Sequence, residues 1–374
     1  MLDIKELTTT SEMKSFVRFP FSLFEDNPYW VPPIISEELE VLDPNRNPAF
    51  RQAGARFFMA YRDGQPVGRI AAIINWTEVN EQRKPKVRFG WFDVIDDLEV
   101  TKALLAKVKE LGKEHDLEFM EGPVGFSNMD KAGMLVEGFD ELSTMVTWYS
   151  LPYYSTHMEE LGFEKANEWV EYQITIPKEG PSEKVKKFAS LIQERHDLHP
   201  IHFTNKNEIL DYVDQMFGLI NKTYSDLSTY VPIRPEQVEY YKEKYFRYLH
   251  PDFIHCVADD EEELVAFAIT MPSFAEALQR AGGKLLPTGW FHLLKSRYFN
   301  NKAAFYLIGI KPEYQNKGVT AIIFKEMNEM FNDRGISKVE TNPELEDNKA
   351  VQALWKNYEN RLHKRRRTYR RDLG

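Results

Sequence analysis

The sequence predicts an α+β protein made of two similar units in tandem, each a mixed, largely antiparallel sheet flanked by helices. Three observations carry this. The chain has 374 residues, 43% of them apolar and 13% aromatic, enough to build two cores. One order of patterns (hairpin, strand, amphipathic helix, strand, helix, strand) occurs twice. Between the copies lies a Pro/Gly/charged run, Pro177-Lys178-Glu179-Gly180-Pro181-Ser182, which divides the chain into 1–178 and 185–374.

In the first copy, two apolar runs between Phe57 and Ile74 flank Asp63-Gly64, a strong hairpin signal. A strand is expected at 87–95. A helix follows at 99–115, with Val100, Leu104, Val108 and Leu111 on one face. A short strand at 117–121, a helix at 153–161 closed by Gly162, and a strand at 169–176 complete the unit. In the second copy a hairpin spans Phe253–Thr270 around the acidic stretch Asp259–Glu263. A strand at 303–310 leads to a helix at 318–333 that carries Ile323, Met327, Met330 and Phe331 on one face. A strand at 337–341, a helix at 347–360 and a basic strand at 365–371 end it. A helix between neighbouring strands implies a parallel crossover.

Composition excludes several classes. Cys256 is the sole cysteine, so neither an intrachain disulfide nor a cysteine zinc cluster can form, and a buried inert thiol in a reducing cytoplasm is expected. No apolar run reaches bilayer length, and the N-terminus lacks the basic start and apolar run of a signal peptide. Residues 1–178 hold 19 Lys and Arg against 30 Asp and Glu, a net of −11, while the remainder holds 29 against 28. An acidic N-terminal half argues against a nucleic-acid partner. The closing run from Arg361 through Arg371 is strongly basic. It reads either as an edge strand kept soluble by charge or as a peripheral contact with an anionic membrane surface.

The most informative stretch is Ile310-Lys311-Pro312-Glu313-Tyr314-Gln315-Asn316-Lys317-Gly318-Val319-Thr320, which joins a strand to an amphipathic helix. Gly318 permits close backbone approach, and the first N–H groups of the helix lack intrahelical partners. With the helix dipole and Lys317, such a turn suits a pyrophosphate; the plainer alternative is an ordinary strand-to-helix turn. Neither a dinucleotide nor a phosphate-loop glycine pattern is present.

This run resembles the acyl-CoA loop of the GNAT (acyl-CoA N-acyltransferase) superfamily, Gln/Arg-x-x-Gly-x-Gly/Ala after a hydrophobic-x-Pro strand end, with Thr320 in place of the small final residue. The resemblance implies that Gln315, Asn316, Lys317, Gly318, Val319 and Thr320 hold the diphosphate, and that Leu307, Ile308 and Ile310 line the pantetheine arm. The segment Asn348–Trp355 resembles the family's Asn-x-x-Ala-x-x-Leu-Tyr helix, which makes Asn348 a cofactor contact. Trp355 stands where the family's tyrosine acid would be, and Tyr358 lies one turn later. The first copy resembles the same fold, but Asp96-Asp97-Leu98-Glu99 replaces the loop. Carboxylates there would cap the helix and repel a diphosphate. The implied co-substrate is acetyl-CoA or a longer acyl-CoA, with no metal.

Acyl transfer to an amine needs a base to take a proton and donors to polarise the carbonyl. Glu340, at the end of the strand beside the expected acyl group, is the candidate base, and Tyr358 the candidate acid; their alternatives are a strand-end carboxylate and a packed aromatic. Glu344 and Glu346 follow on the loop. His196, His199 and His202 have ligand-like spacing, but the segment shows no supporting acidic motif, and a solvated linker or strand start accounts for them better. Two regions exceed a minimal unit: the Gly-rich loop Gly122–Met134, expected to line a pocket, and the insertion at about 272–300. Asp26-Asn27-Pro28-Tyr29-Trp30-Val31-Pro32-Pro33, with the Gly-Pro loop, is similar to a bacterial group of two-domain acyltransferases related to bacterial ceramide synthases. The acceptor expected is therefore a small-molecule or lipid amine in a cytoplasmic enzyme. A non-catalytic acyl-CoA-binding or scaffold protein is the alternative, and the Trp355 replacement favours it.

Overall fold

Asp63 and Gly64 both adopt positive φ, 49° and 82°, and close the first hairpin as an Asp-Gly pair should. The computed structural model describes every residue except 226, 228, 229 and 247. The first half runs β1 (Leu2–Glu6), α1 (Thr10–Leu23), α2 (Ile35–Val41), β2 (Ala53–Arg62), β3 (Gln65–Asn75), β4 (Lys86–Val94), α3 (Leu98–Glu114), β5 (Phe119–Gly122), β6 (Met134–Glu137), α4 (Tyr153–Glu160) and β7 (Glu164–Thr175). The second runs α5 (Glu183–His196), β8 (His199–Ile201), α6 (Lys206–Thr223), α7 (Pro235–Phe246), β9 (Ile254–Ala258), β10 (Leu264–Pro272), α8 (Ala275–Ala281), α9 (Gly289–Tyr298), β11 (Lys302–Ile310), α10 (Thr320–Asp333), β12 (Lys338–Thr341), β13 (Glu344–Leu345), α11 (Lys349–Gln352) and β14 (Asn360–Asp372). The expected elements recur within a few residues. The exception is the helix at 347–360, which shrinks to α11 and a 3-10 turn over Ala353–Asn357. There Asn360 donates to the carbonyls of Trp355 and Tyr358, which ends the turn and starts β14.

All strands join one sheet in the order β1-β2-β3-β4-β5-β14-β7-β12-β11-β10-β9-β8, with β6 on β14 and β13 on β7. The pairings β4–β5 and β11–β12 are parallel, each bridged by a helix, α3 or α10. The centre of the sheet departs from chain order. The last strand of each half crosses into the other: β14 pairs with β5, and β7 pairs with β12. Between them β14 and β7 pair along most of their length, from Asn360–Ile174 to Arg370–Glu164. The two sequence units at 1–178 and 185–374 therefore share a seam of exchanged strands.

Helices cover both faces. In the first half α3 buries Val100, Leu104 and Val108 on one face, and α1 buries Phe16 and Val17 on the other. In the second, α10 and α5 pack Ile322, Ile323 and Ile192 on one face, while α6 and α7 pack Ile209, Met216 and Tyr241 on the other. The core extends beneath the seam, where burial of apolar area supplies most of the stabilisation at roughly 25 cal/mol per Å².

The seam corrects the two expectations for the basic C-terminal run. It is neither an edge strand nor a free basic surface. Lys364 and Arg366 are fully buried. Arg366 and Lys364 both pair with Glu171, and Lys364 also pairs with Glu340. Burial would raise the Glu171 carboxyl, but the charges of Arg366 and Lys364 outweigh it and hold it below the ordinary carboxylate range. Outward, Arg361 meets Glu141 at 2.6 Å, Arg365 meets Glu168 at 3.0 Å, and Arg367 meets Glu168 at 2.7 Å. Most of these cations are therefore engaged by carboxylates, chiefly of the acidic first half. Arg366→Met removes the principal partner of a buried carboxylate, and a loss of ~3–5 kcal/mol is expected in denaturant titrations. Arg361→Ala, at an exposed pair on the same strand, is expected to cost ~1 kcal/mol or less.

Candidate active site

The site begins where two strands part. The pairing of β11 with β12 ends at Phe305–Thr341. On its other side β11 carries one extra residue, Tyr306, because Ile269 faces Leu307 while Thr270 faces Phe305. Asn342 fixes the fork: its N–H donates to the Phe305 carbonyl at 2.9 Å and its side-chain amide to the Tyr306 carbonyl at 3.0 Å. Beyond the fork β13 turns away to pair with Val170 and Trp169 of β7.

A cavity of about 310 Å³ occupies the wedge. Leu307 and Ile308 form one wall, α6 and α7 another, and Asn342, Pro343, Glu344 and Asn348 the third. The first half closes it with Asn128, Met129 and Asp130 from the Gly-rich loop, which therefore lines a pocket as expected. Burial raises the Asp130 carboxyl even though Ser127 donates to it at 2.9 Å. Tyr224, at the end of α6, donates its hydroxyl to the Ile308 carbonyl at 3.0 Å, and burial pushes that phenol up to about 12.

The wall residue with the most useful chemistry is Glu344. It is half-buried, and burial raises its carboxyl to about 7 despite a hydrogen bond from Trp355 Nε1 at 2.7 Å. Its second oxygen, Oε2, and Asn342 Oδ1 are both buried with no hydrogen-bond partner among the described residues. Two unpaired acceptors at one wall call for a ligand that donates.

The loop after β11 has the conformation a diphosphate site needs. Asn316 and Gly318 adopt positive φ, 60° and 84°. The N–H groups of Asn316, Gly318, Val319 and Thr320 make no hydrogen bond among the described residues, whereas those of Gln315 and Lys317 close turns onto Pro312 and Tyr314. A Cβ at Gly318 would sit 2.9 Å from the Phe188 ring of α5 in a backbone region that L residues rarely adopt. Gln315, Asn316 and Lys317 are exposed, Val319 is buried, Thr320 opens α10, and Ile310 is half-buried at the end of β11. In the first half the equivalent amides are occupied: Asp97 accepts from Glu99 and Val100, and Arg62 pairs with Asp97 and Glu99.

The structure separates the nominated catalytic pair from this site. Glu340 does not line the cavity. Its carboxylate is engaged by Lys364 within the seam, although burial, only partly offset by Lys364, raises it. Tyr358 lies outside the cavity as well, with its hydroxyl held by Asn328 of α10 and its ring against Phe324. Asn348 does line the cavity, and it caps α11 by accepting from Val351 at 3.3 Å. The histidines scatter: His199 faces Glu262, His202 faces Glu326, and His196 packs on Tyr314. Among the described residues no cluster of His, Cys, Asp and Glu is arranged for a metal. Cys256 is buried, and burial pushes its thiol up. Sequence reasoning passed over Glu344. The available signal was Trp355 itself, a donor in place of a hydroxyl, facing the loop that carries this carboxylate.

Residues 215–358 match the Acetyltransferase (GNAT) family. A tandem GNAT protein from the clavulanic acid biosynthesis pathway superposes with a TM-score of 0.58 at 12% identity, covering 100% of this chain and 99% of its own. The second half thus matches the GNAT family, and the whole chain has the fold of a tandem GNAT protein. Protein YghO of Escherichia coli (strain K12) is 25% identical over 376 residues, 99% of this chain and 95% of that protein. Bacterial ceramide synthase of Caulobacter vibrioides (strain NA1000 / CB15N) is 24% identical over 379 residues, 100% of this chain and 98% of that one. The GNAT fold thus spans the sheet, and the strand-to-helix turn with open N–H groups among the described residues lies in the second half.

The open amides yield a binding prediction. Acetyl- or long-chain acyl-CoA is expected to raise the melting temperature, and Gly318→Asp, which sets a carboxylate beside those N–H groups, is expected to abolish the shift. A substitution at Leu98, the counterpart position in the first half, is expected to leave it intact.

Proposed function

We propose that the protein is an acyl-CoA-dependent N-acyltransferase whose acceptor is an amine with a long apolar chain. The observation that carries this is the pair of unpaired acceptors, Glu344 Oε2 and Asn342 Oδ1, in an otherwise apolar cavity that begins where β11 and β12 part. An acceptor pair with one carboxyl raised to about 7 suits a donor that must lose a proton. Apolar walls from α6 and α7 suit a chain rather than a sugar or a peptide. The relative named bacterial ceramide synthase supports the same acceptor class.

In this reading the amides of Asn316 and Gly318 to Thr320 hold the diphosphate, with Lys317 adding charge. Leu307, Ile308 and Asn348 guide the arm into the wedge. Acyl-CoA supplies an already activated thioester, so positioning accounts for much of the acceleration. Glu344 accepts the proton lost as the amine nitrogen bonds to the thioester carbon. The carbon–sulfur bond breaks and the electron pair leaves on sulfur. A thiolate whose acid has a pKa of about 8.5 leaves without a dedicated acid, which agrees with the place of Tyr358 outside the cavity lining. Trp355 then orients the base, and its replacement of the family tyrosine no longer favours the non-catalytic alternative.

A base with a pKa of about 7 must be deprotonated to work, so kcat/KM is expected to rise with pH through about 7 and to level off above. Glu344→Gln is expected to lower kcat/KM by at least ~100-fold and to remove the rising limb. Stability has the opposite slope. A carboxyl whose folded pKa lies above its ordinary value costs stability that grows from about pH 4.5 to about 7 and is constant beyond. The Gln variant is therefore expected to lose less of its melting temperature over that interval. Activity confined to small polar amines would exclude the long-chain acceptor, and an unchanged pH profile in Glu344→Gln would exclude this base.

A further inference from the structure

The insertion between β10 and β11 gathers six of the exposed large hydrophobic side chains among the described residues. On α9, Trp290, Phe291, Leu294 and Tyr298 point outward, at 51%, 53%, 44% and 52% exposure. Leu286 before the helix and Phe299 after it are more open still, at 75% and 79%. The opposite side of α9 is tied down: Leu293 joins the cluster of Met271, Phe274 and Leu278, and Ser296 and Asn300 both donate to the Ser273 carbonyl. The outward stripe is therefore a surface of a fixed helix, and nothing in the packing of the insertion requires it to be aromatic.

Charge distinguishes this surface from the rest of the chain. The protein is acidic overall, with a net charge of −10, yet no Asp or Glu occurs between Glu276 and Glu313. Within that stretch the insertion carries Arg280, Lys284, Lys295 and Arg297. Lys284 and Lys295 flank the aromatic stripe, are exposed, and make no ion pair among the described residues. We infer that α9 and its flanks form a docking face for an anionic phospholipid surface. Trp, Tyr and Phe sit well at the level of the headgroups, Leu reaches below them, and lysines meet the phosphates. Self-association through this face is disfavoured, because a two-fold contact would set the same uncompensated positive charges against each other.

The position suits the face to the cavity. Leu285 and Leu293 under the insertion pack in one cluster with Met271 and Tyr306, and both of those line the cavity. A lipid-bound protein would thus hold its cleft one side-chain layer from the bilayer. The docking face stands whether or not the acceptor is a lipid, since it rests on exposure and charge alone.

The test is flotation of the full chain with vesicles of phosphatidylcholine, and of phosphatidylcholine containing phosphatidylglycerol. Binding is expected to the anionic vesicles, weakening as salt is raised. The triple variant Trp290→Ser, Phe291→Ser, Phe299→Ser is expected to lose at least ~10-fold in partitioning. Lys284→Gln and Lys295→Gln are expected to lose roughly fivefold each, on anionic vesicles only. Each variant is first required to keep the parent's circular dichroism and melting temperature, so that loss of binding is not loss of fold. Absence of the parent from the floated fraction with both vesicle types overturns the inference, as does a triple variant that floats like the parent. A parent that is dimeric in solution and made monomeric by the triple variant, with no vesicle binding, overturns it in favour of a self-interface.

Discussion

The exchange of β7 and β14 across the midline of the sheet is the constraint on which the rest of the molecule depends. It places the most basic strand of the chain, in the middle of the sheet, against the glutamates of β7, and it buries Arg366, Lys364 and Glu171 together. Isolated charges there would be prohibitively costly; paired, they fix register and partner, because a shifted strand would leave a buried charge without its opposite. The acidic first half and the near-neutral second half of the sequence are therefore two sides of one junction.

The cavity follows from that junction. After Thr341 the chain leaves β11 because β7, a strand from the other half, offers Val170 and Trp169 as partners for β13. Without β7 at that place there would be nothing to draw β13 aside, and β11 and β12 could remain closed. The strand exchange thus opens the wedge, and the wedge brings Glu344 beside Asn342 and Leu307. The first half contributes further through Asn128 to Asp130 and Trp169. Its own helix terminus is capped by Asp97, and its contribution to the cavity is a wall.

Burial assigns different chemistry to two similar carboxylates. Glu340 and Glu344 are four residues apart, and burial raises both. Glu340 faces Lys364 and serves the junction, whereas Glu344 has neutral donors, the Trp355 indole and the Thr341 hydroxyl, and lines the cavity. A cation engages the first within the seam, and the second, with no ion pair among the described residues, is raised to about 7 by burial.

The sequence by itself determined the elements and their repetition. Asp63-Gly64 closes a tight turn whatever surrounds it, the faces of α3 and α10 follow from periodicity, and Gly318 with its neighbours announces an anion site because amide direction there is set by local backbone. The helices at 183–246 were equally periodic but lay outside the repeat that organised the reading. Only the tertiary structure decided which strand neighbours which. Whether the basic run at 360–372 is an edge or a centre depends on a partner strand about 200 residues away, and no local pattern encodes that distance. The proposed base was hidden for the same reason. A carboxylate's pKa is a property of what surrounds it, and Glu340 and Glu344 are told apart by Lys364 and Trp355, which reach them only once the sheet has closed.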